Sequence, residues 1–146
     1  MQRVTAARVR VGDRVTGEIA AGLLALVGVE RGDGETDVRY IVDKIRHARL
    51  FPSESGKPMD RSVVDVGGAI LLVSQFTLFG DLRKGRRPSF SAAEDPETAR
   101  HAYASLVREL RVIPLTVETG EYRASMTVES VNDGPVTILV DSRRLF

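Results

Sequence analysis

Two short apolar runs constrain this chain more than anything else in it. Residues 19–29 (IAAGLLALVGV) and 69–76 (AILLVSQF) have almost no polar positions. A strand with one wet face alternates polar and apolar residues, so a run without alternation must be covered on both sides. Each run is too short to cross a bilayer, which takes about 18 or more consecutive apolar residues. Both are therefore expected to be central strands with layers packed above and below.

The intervening sequence supplies those layers. Val9, Val11 and Val15 share one parity and predict an early strand turning at Gly12-Asp13. The turn-forming Arg31-Gly32-Asp33-Gly34 stops the first apolar run. Val38, Ile41, Val42, Ile45 and Ala48 then recur at helical spacing, with Thr36 or Asp37 as N-cap. Residues 52–60 form a polar loop, and Gly67-Gly68 before a strand predicts a tight turn.

A second helix starts at Asp95-Pro96, where the carboxylate caps the first turn and the proline lacks an N–H that would be unused there. Its apolar stripe is Ala99, Ala102, Tyr103, Leu106, Val107 and Leu110. Three strand-like segments follow, at residues 112–117, 124–131 and 136–140. The last two are joined by Asn132-Asp133-Gly134-Pro135, read as a hairpin turn. The order β-β-α-β-α-β-β-β predicts an α/β fold: a single compact domain over residues 1–146, with mixed, largely antiparallel β-sheets and two main helices.

The inventory of reactive side chains is thin. With no cysteine, disulfides, thiolate catalysis and cysteine-bound zinc are excluded, which fits a cytoplasmic protein. His47 and His101 lie off the apolar stripes of their helices and read as solvated. No Gly-x-Ser-x-Gly elbow, HExxH, Walker loop or dinucleotide fingerprint is present. Thr77 is a candidate nucleophile only if some base activates it. The net charge of +1 is uninformative, but residues 81–88 (DLRKGRRP) concentrate Arg83, Lys84, Arg86 and Arg87 against one acid. Such a loop is either a solvated surface or a phosphate contact.

Two polar segments carry the candidate chemistry. Ser74-Gln75-Phe76-Thr77 ends the second apolar run, where buried polar groups need partners at about 1–3 kcal/mol each. They either cap the strand or line a pocket at its end. Asn132-Asp133-Gly134-Pro135-Val136-Thr137 is the second, and the sequence leaves the isomer of its Gly-Pro bond open.

SQFT and NDGPVT, in this order and spacing, resemble the signature motifs of the D-aminoacyl-tRNA deacylase family. Further matches are Gln2-Arg3-Val4, Gly17-Glu18-Ile19, Gly22-Leu23-Leu24, Gly28-Val29-Glu30, Lys84-Gly85 with Arg87-Pro88-Ser89-Phe90, and Thr119-Gly120 with Met126. The resemblance covers essentially the whole chain. It departs from the family at the first strand, which begins here at Met1, at Tyr122 (commonly phenylalanine) and at Arg123 (usually a small residue).

The resemblance implies a cofactor-free, metal-free homodimer that hydrolyses the ester of D-aminoacyl-tRNA, and of glycine mischarged on tRNA, releasing amino acid and tRNA. This is chiral proofreading within translation quality control. Asn132, Gly134, Pro135, Val136 and Thr137 would form a Gly-cisPro element inserted into the partner's active site, where main-chain oxygens exclude L-residues. Arg3 would lock that element, with Tyr122 and Met126 in support. Ser74, Gln75, Phe76 and Thr77 would form the catalytic pocket for the terminal adenosine, whose 2′-hydroxyl assists, and Arg83, Lys84, Arg86 and Arg87 would contact tRNA. The alternatives are a Thr77 nucleophile, a non-catalytic tRNA-binding domain of the same fold, and a deacylase with relaxed stereospecificity.

Overall fold

A computed structural model describes residues 1–145. The elements in chain order are β1 (Gln2–Val11), β2 (Arg14–Ile19), β3 (Gly22–Val27), α1 (Glu35–His47), α2 (Val63–Val66), β4 (Ala69–Ser74), α3 (Pro96–Leu110), β5 (Val117–Thr119) and β6 (Thr127–Thr137), with a 3-10 turn (Phe76–Phe79) after β4. They form one mixed six-stranded sheet. The path runs β2-β1-β3-β4-β5, and β6 pairs with β1. β3, β4 and β5 are mutually parallel, and every pairing of β1 is antiparallel.

β4 shows why its sequence lacks alternation. Ile70 and Leu72 face α1 and α3, sharing a core with Leu23, Ala25, Val42, Ile45, Tyr103 and Leu106. Leu71 and Val73 point the other way, into a second core with Val4, Ala7, Val9, Ile19 and Leu24. Leu71 and Leu72 are both fully buried, each worth about 1.5–3 kcal/mol relative to exposure. A polar residue on either face would lose its water at a cost of about 1–3 kcal/mol unless it found a partner.

The 19–29 run is broken at Ala20-Ala21 into the end of β2 and the whole of β3, and both pieces continue along the same edge of β1 (Ala7 opposite Ile19, Val4 opposite Gly22). The Gly12-Asp13 turn and the polar loop are as the sequence predicts, the loop being closed by the Phe51–Arg61 bridge. Asp95 caps α3 by accepting from the Glu97 and Thr98 amides. The α1 cap differs: Gly34 is the N-cap, and Asp37 sits inside the helix with its carboxylate accepting the Gly34 N–H.

Two strand expectations are corrected, and one helix is new. Residues 112–116 are not strand, because Pro114 lacks a ladder donor and Val112 is exposed, so β5 starts only at Val117. α2 was not foreseen in the sequence: Ser62 and Asp65 cap it reciprocally, and Gly67 closes it in the left-handed conformation. Residues 124–131 and 136–140 are not two arms of a hairpin. Residues 127–137 make a single strand along β1, with Val4 opposite Asn132 and Gln2 opposite Thr137, and residues 124–126 and 138–140 are not strand. Two steps on β1 (4 − 2) face five on β6 (137 − 132), so three surplus residues bulge out of a single strand.

Candidate active site

The bulge is clamped from below. Arg3, with its side chain 13% exposed, donates from Nη1 to the Leu50 carbonyl at 2.7 Å. Its Nε lies 2.9 Å from Asp133 Oδ2, a charge contact whose geometry falls short of a hydrogen bond. Asn132 staples the bulge from within: its Oδ1 accepts the Val136 N–H at 3.0 Å, and its Nδ2 donates to Thr137 Oγ1 at 3.1 Å. Gln2 Nε2 donates to the same hydroxyl.

The Gly134–Pro135 peptide bond is cis. Gly134 has φ +116°, and a Cβ there would stand 2.7 Å from Val136 Cγ2 and 3.1 Å from an Arg3 Nη. Only glycine meets both the backbone conformation and the space. Val136 is buried, whereas Gly134 and Pro135 are exposed at the tip.

The second group lies where β4 ends. In a parallel sheet the strands finish together, so the segments after Val27, Ser74 and Thr119 gather at one edge, the usual place for a ligand. Ser74 and Gln75 are half-buried, and Phe76 and Thr77 open to solvent in the 3-10 turn. The Gln75 N–H is anchored on the Val27 carbonyl at 2.7 Å. Its side-chain amide donates to Thr77 Oγ1, so that hydroxyl receives a donor where a nucleophile would need a base. The Phe76 ring, 57% exposed, meets Phe90 edge-on with centroids 5.0 Å apart. Phe79 packs against Gly28, where a Cβ would stand 2.6 Å from the ring.

Neither histidine approaches this group: His47 bonds Asp43, and His101 is exposed on α3. Tyr122 and Met126 flank the same end of the sheet. The Tyr122 ring stacks 5.9 Å from Tyr103 while its hydroxyl donates to the Pro96 carbonyl at 2.7 Å. Met126 packs its sulfur on Gly120. Arg123 has φ +64°, a conformation that favours glycine, and reaches Glu97 at 3.5 Å.

The basic loop is a surface excursion closed by the Asp81–Ser89 bridge. Arg83 is not free within it, because its guanidinium grips both Asp81 oxygens at 2.7–3.0 Å. That hydrogen-bonded fork, aided by the Arg83 N–H, lowers the Asp81 pKa to about 2. Lys84, Arg86 and Arg87 make no ion pair among the described residues. A shallow depression of about 640 Å³ lies beside the loop, lined by residues 78–83 with Ser91 and Ala92.

The structure thus brings Arg3, Asn132, Gly134, Val136 and Thr137 together, and separately Ser74, Gln75, Phe76 and Thr77. Among the described residues no hydrogen bond or ion pair joins the two groups within one chain. Leu50, Asp81, Asp133, Phe79 and Phe90 were not foreseen as site residues. Asp133 and Phe90 carried a local signal because each lies inside a quoted motif, and Asp81 because it is the one acid of the basic loop.

Such a site can bind, orient and polarise an ester, the work of a hydrolase. Residues 1–141 match the D-Tyr-tRNA(Tyr) deacylase family. D-aminoacyl-tRNA deacylase of Heliobacterium modesticaldum is 54% identical over 98% of this chain and 95% of that protein. Those of Desulfitobacterium hafniense and Anaeromyxobacter dehalogenans are each 56% identical over 100% of this chain and 97% of theirs. The solved structure of the c-Myc DNA Unwinding Element Binding Protein is 40% identical, with TM-score 0.89, over 94% of this chain and 93% of that one. A probable eukaryotic D-amino acid tRNA deacylase, 17% identical over 92% of each chain, shares the fold at TM-score 0.74. The chain belongs to the D-Tyr-tRNA(Tyr) deacylase family. No helix among the described residues is long and apolar enough to cross a membrane.

Proposed function

We propose that this protein hydrolyses D-aminoacyl-tRNA, and glycyl-tRNA mischarged on non-cognate tRNA, in the cytoplasm as a homodimer whose active sites straddle the subunit interface. One chain supplies the pocket of Ser74, Gln75, Phe76 and Thr77. The partner supplies the Gly134–Pro135 loop. The observation that carries this reading is that the two groups are each built on every chain yet make no bond to one another within it.

A second copy has a place to sit. Among the described residues β6 pairs with β1 along one edge only, and a long unpaired edge invites another strand. Val128, Val131, Ile138 and Leu139 are exposed along and just beyond it. Burying them against a twofold copy would carry the clamped loop toward the neighbouring pocket.

Selection is then steric. Main-chain atoms held by Arg3 and Asn132 cannot retreat, so an L-side chain aimed at them is excluded while a D-side chain points elsewhere and glycine has none. Hydrolysis uses a positioned water with help from the 2′-hydroxyl of the terminal adenosine. The first two amides of the 3-10 turn, Phe76 and Thr77, have no partner within a turn of that geometry and can receive the developing oxyanion. Lys84, Arg86 and Arg87 meet acceptor-stem phosphates, with Arg83 shaping their loop.

Two measurements test the proposal. Purified protein should release D-tyrosine from tRNA and spare the L-ester; equal rates on both remove the chiral claim. Gln75→Ala and Gly134→Ala should each abolish activity, yet mixing them should restore about a quarter of the sites through heterodimers if loop and pocket come from different chains. No recovery after subunit exchange would place both groups in one chain's site.

A further inference from the structure

Residues 141–144 fold back over the turn that precedes α1. Arg143 puts Nη1 3.0 Å from Glu30 Oε2 and Nη2 3.6 Å from Asp33 Oδ1, and donates to the Arg31 carbonyl at 3.0 Å. Its own N–H is held by Asp141 Oδ1, and Arg144 lies over the Tyr40 ring at 5.7 Å. Glu30 and Asp33 are only 25% and 15% exposed, so two carboxylates with limited access to water share one guanidinium. Like charges in such a setting repel unless a cation stays between them.

That turn holds the segment behind the catalytic loop. The Arg31 N–H donates to Ala92 O, Arg31 Nε to Ser91 O, the Gly32 N–H to Glu94 Oε2, and the Glu94 N–H to Val29 O, all at 2.9–3.1 Å. Ala93 in turn bonds back to the Phe90 carbonyl at 3.0 Å, and Phe90 is the ring that supports Phe76. A continuous set of contacts therefore runs from Arg143 to the pocket, and Arg143 itself stands outside it. Residues 142–145 also lie beyond the stretch matched to the family.

We propose that Arg143 is a positioning residue for the deacylation: by neutralising Glu30 and Asp33 it fixes the turn that seats Phe90 behind Phe76, and so holds the wall on which the terminal nucleoside of the substrate rests. This rests on the deacylase reading of the pocket. Because the wall acts on ground-state binding and the ester is polarised elsewhere, its loosening raises KM and leaves kcat in place.

The test compares Arg143→Gln, Arg143→Lys and Arg39→Gln in the full chain. Arg39 is an exposed arginine of α1 that pairs, among the described residues, only with Glu35, so its loss reports the general effect of removing a positive charge from a chain that acts on RNA in this reading. Arg143→Gln is expected to raise KM for D-tyrosyl-tRNA about 3- to 10-fold with kcat within about twofold. Arg143→Lys should recover most of that loss, and Arg39→Gln should match the parent. Hydrogen exchange supplies a readout apart from activity: the Ala93, Glu94 and Gly80 amides should exchange faster in Arg143→Gln, while those of β4 stay protected. Parental KM in Arg143→Gln, an equal rise in Arg39→Gln, or unchanged exchange across residues 90–94 overturns the proposal. A parent without D-selective hydrolysis sinks the pocket reading instead, and the exchange result still decides the relay.

Discussion

Replacing Arg3 would measure how firmly the Gly134–Pro135 loop is held. Arg3→Met keeps the aliphatic stem and removes the fork that reaches Leu50 and Asp133. A hydrogen bond from a charged donor is worth about 1.5–3 kcal/mol. The Asp133 interaction adds about 0.2–1 kcal/mol, at the low end because Asp133 is 48% exposed and the approach is poorly aligned. Relief from desolvating the guanidinium offsets part of the loss, leaving a net destabilisation of about 1–3 kcal/mol. For a domain of this size that lowers Tm by about 3–10 °C. Arg3→Lys should fall between, since one ammonium cannot span a carbonyl and a carboxylate placed for a fork. Thermal melting reads the first effect. The ratio of D- to L-tyrosyl-tRNA hydrolysis reads the second, and it should drop as the loop gains freedom. Melting within about 1 °C of the parent together with an unchanged ratio would refute the clamp.

Thr77→Ala should keep kcat within about tenfold of the parent; a loss of about a thousandfold or more with tRNA binding intact would make Thr77 the nucleophile. Arg86→Glu with Arg87→Glu should weaken tRNA binding and flatten its salt dependence by roughly 0.7–0.9 for each phosphate no longer neutralised, whereas Arg83→Gln, whose charge Asp81 already meets, should change the slope less. Equal slopes for the two sets would show that Arg83 is as available as its neighbours. Asp81 has a folded pKa of about 2, below its ordinary 3.8, so its hold on Arg83 is complete above pH 4 and is lost as pH falls through about 2. A carboxylate titration by NMR checks this, and a midpoint near 4 would mean that the fork is open in solution.

The parts of the fold legible in the sequence were those fixed by neighbours along the chain. β4 declares itself because both of its faces are covered, and α3 because Asp95 and Pro96 sit together at its first turn. α2 was legible in principle, since Ser62-x-x-Asp65 is a capping box, but four residues rich in β-branched valine give no helical periodicity. The NDGP segment misled because turn residues serve a hairpin and a bulge equally well. What decides between them is β1, more than a hundred residues earlier, which offers a ladder to both flanks. Ser74, Gln75 and Thr77 were visible as polar residues ending an apolar strand, and the NDGPVT segment as turn residues. Their supports were not: the Leu50 carbonyl under Arg3, the grip of Asp81 on Arg83 and the ring behind Phe76 all depend on how the chain folds back on itself.

The three surplus residues of β6 are an insertion into a ladder that runs on both sides of them, with a smaller register shift between Val4 and Ala6. Excising Asp133, Gly134 and Pro135 would bring Asn132 and Val136 into ordinary succession against Val4 and Arg3 and leave the other rungs in place. The loop is in that sense an accessory mounted on the scaffold, and if it reads stereochemistry as proposed, that reading could be lengthened or re-aimed without rebuilding the sheet.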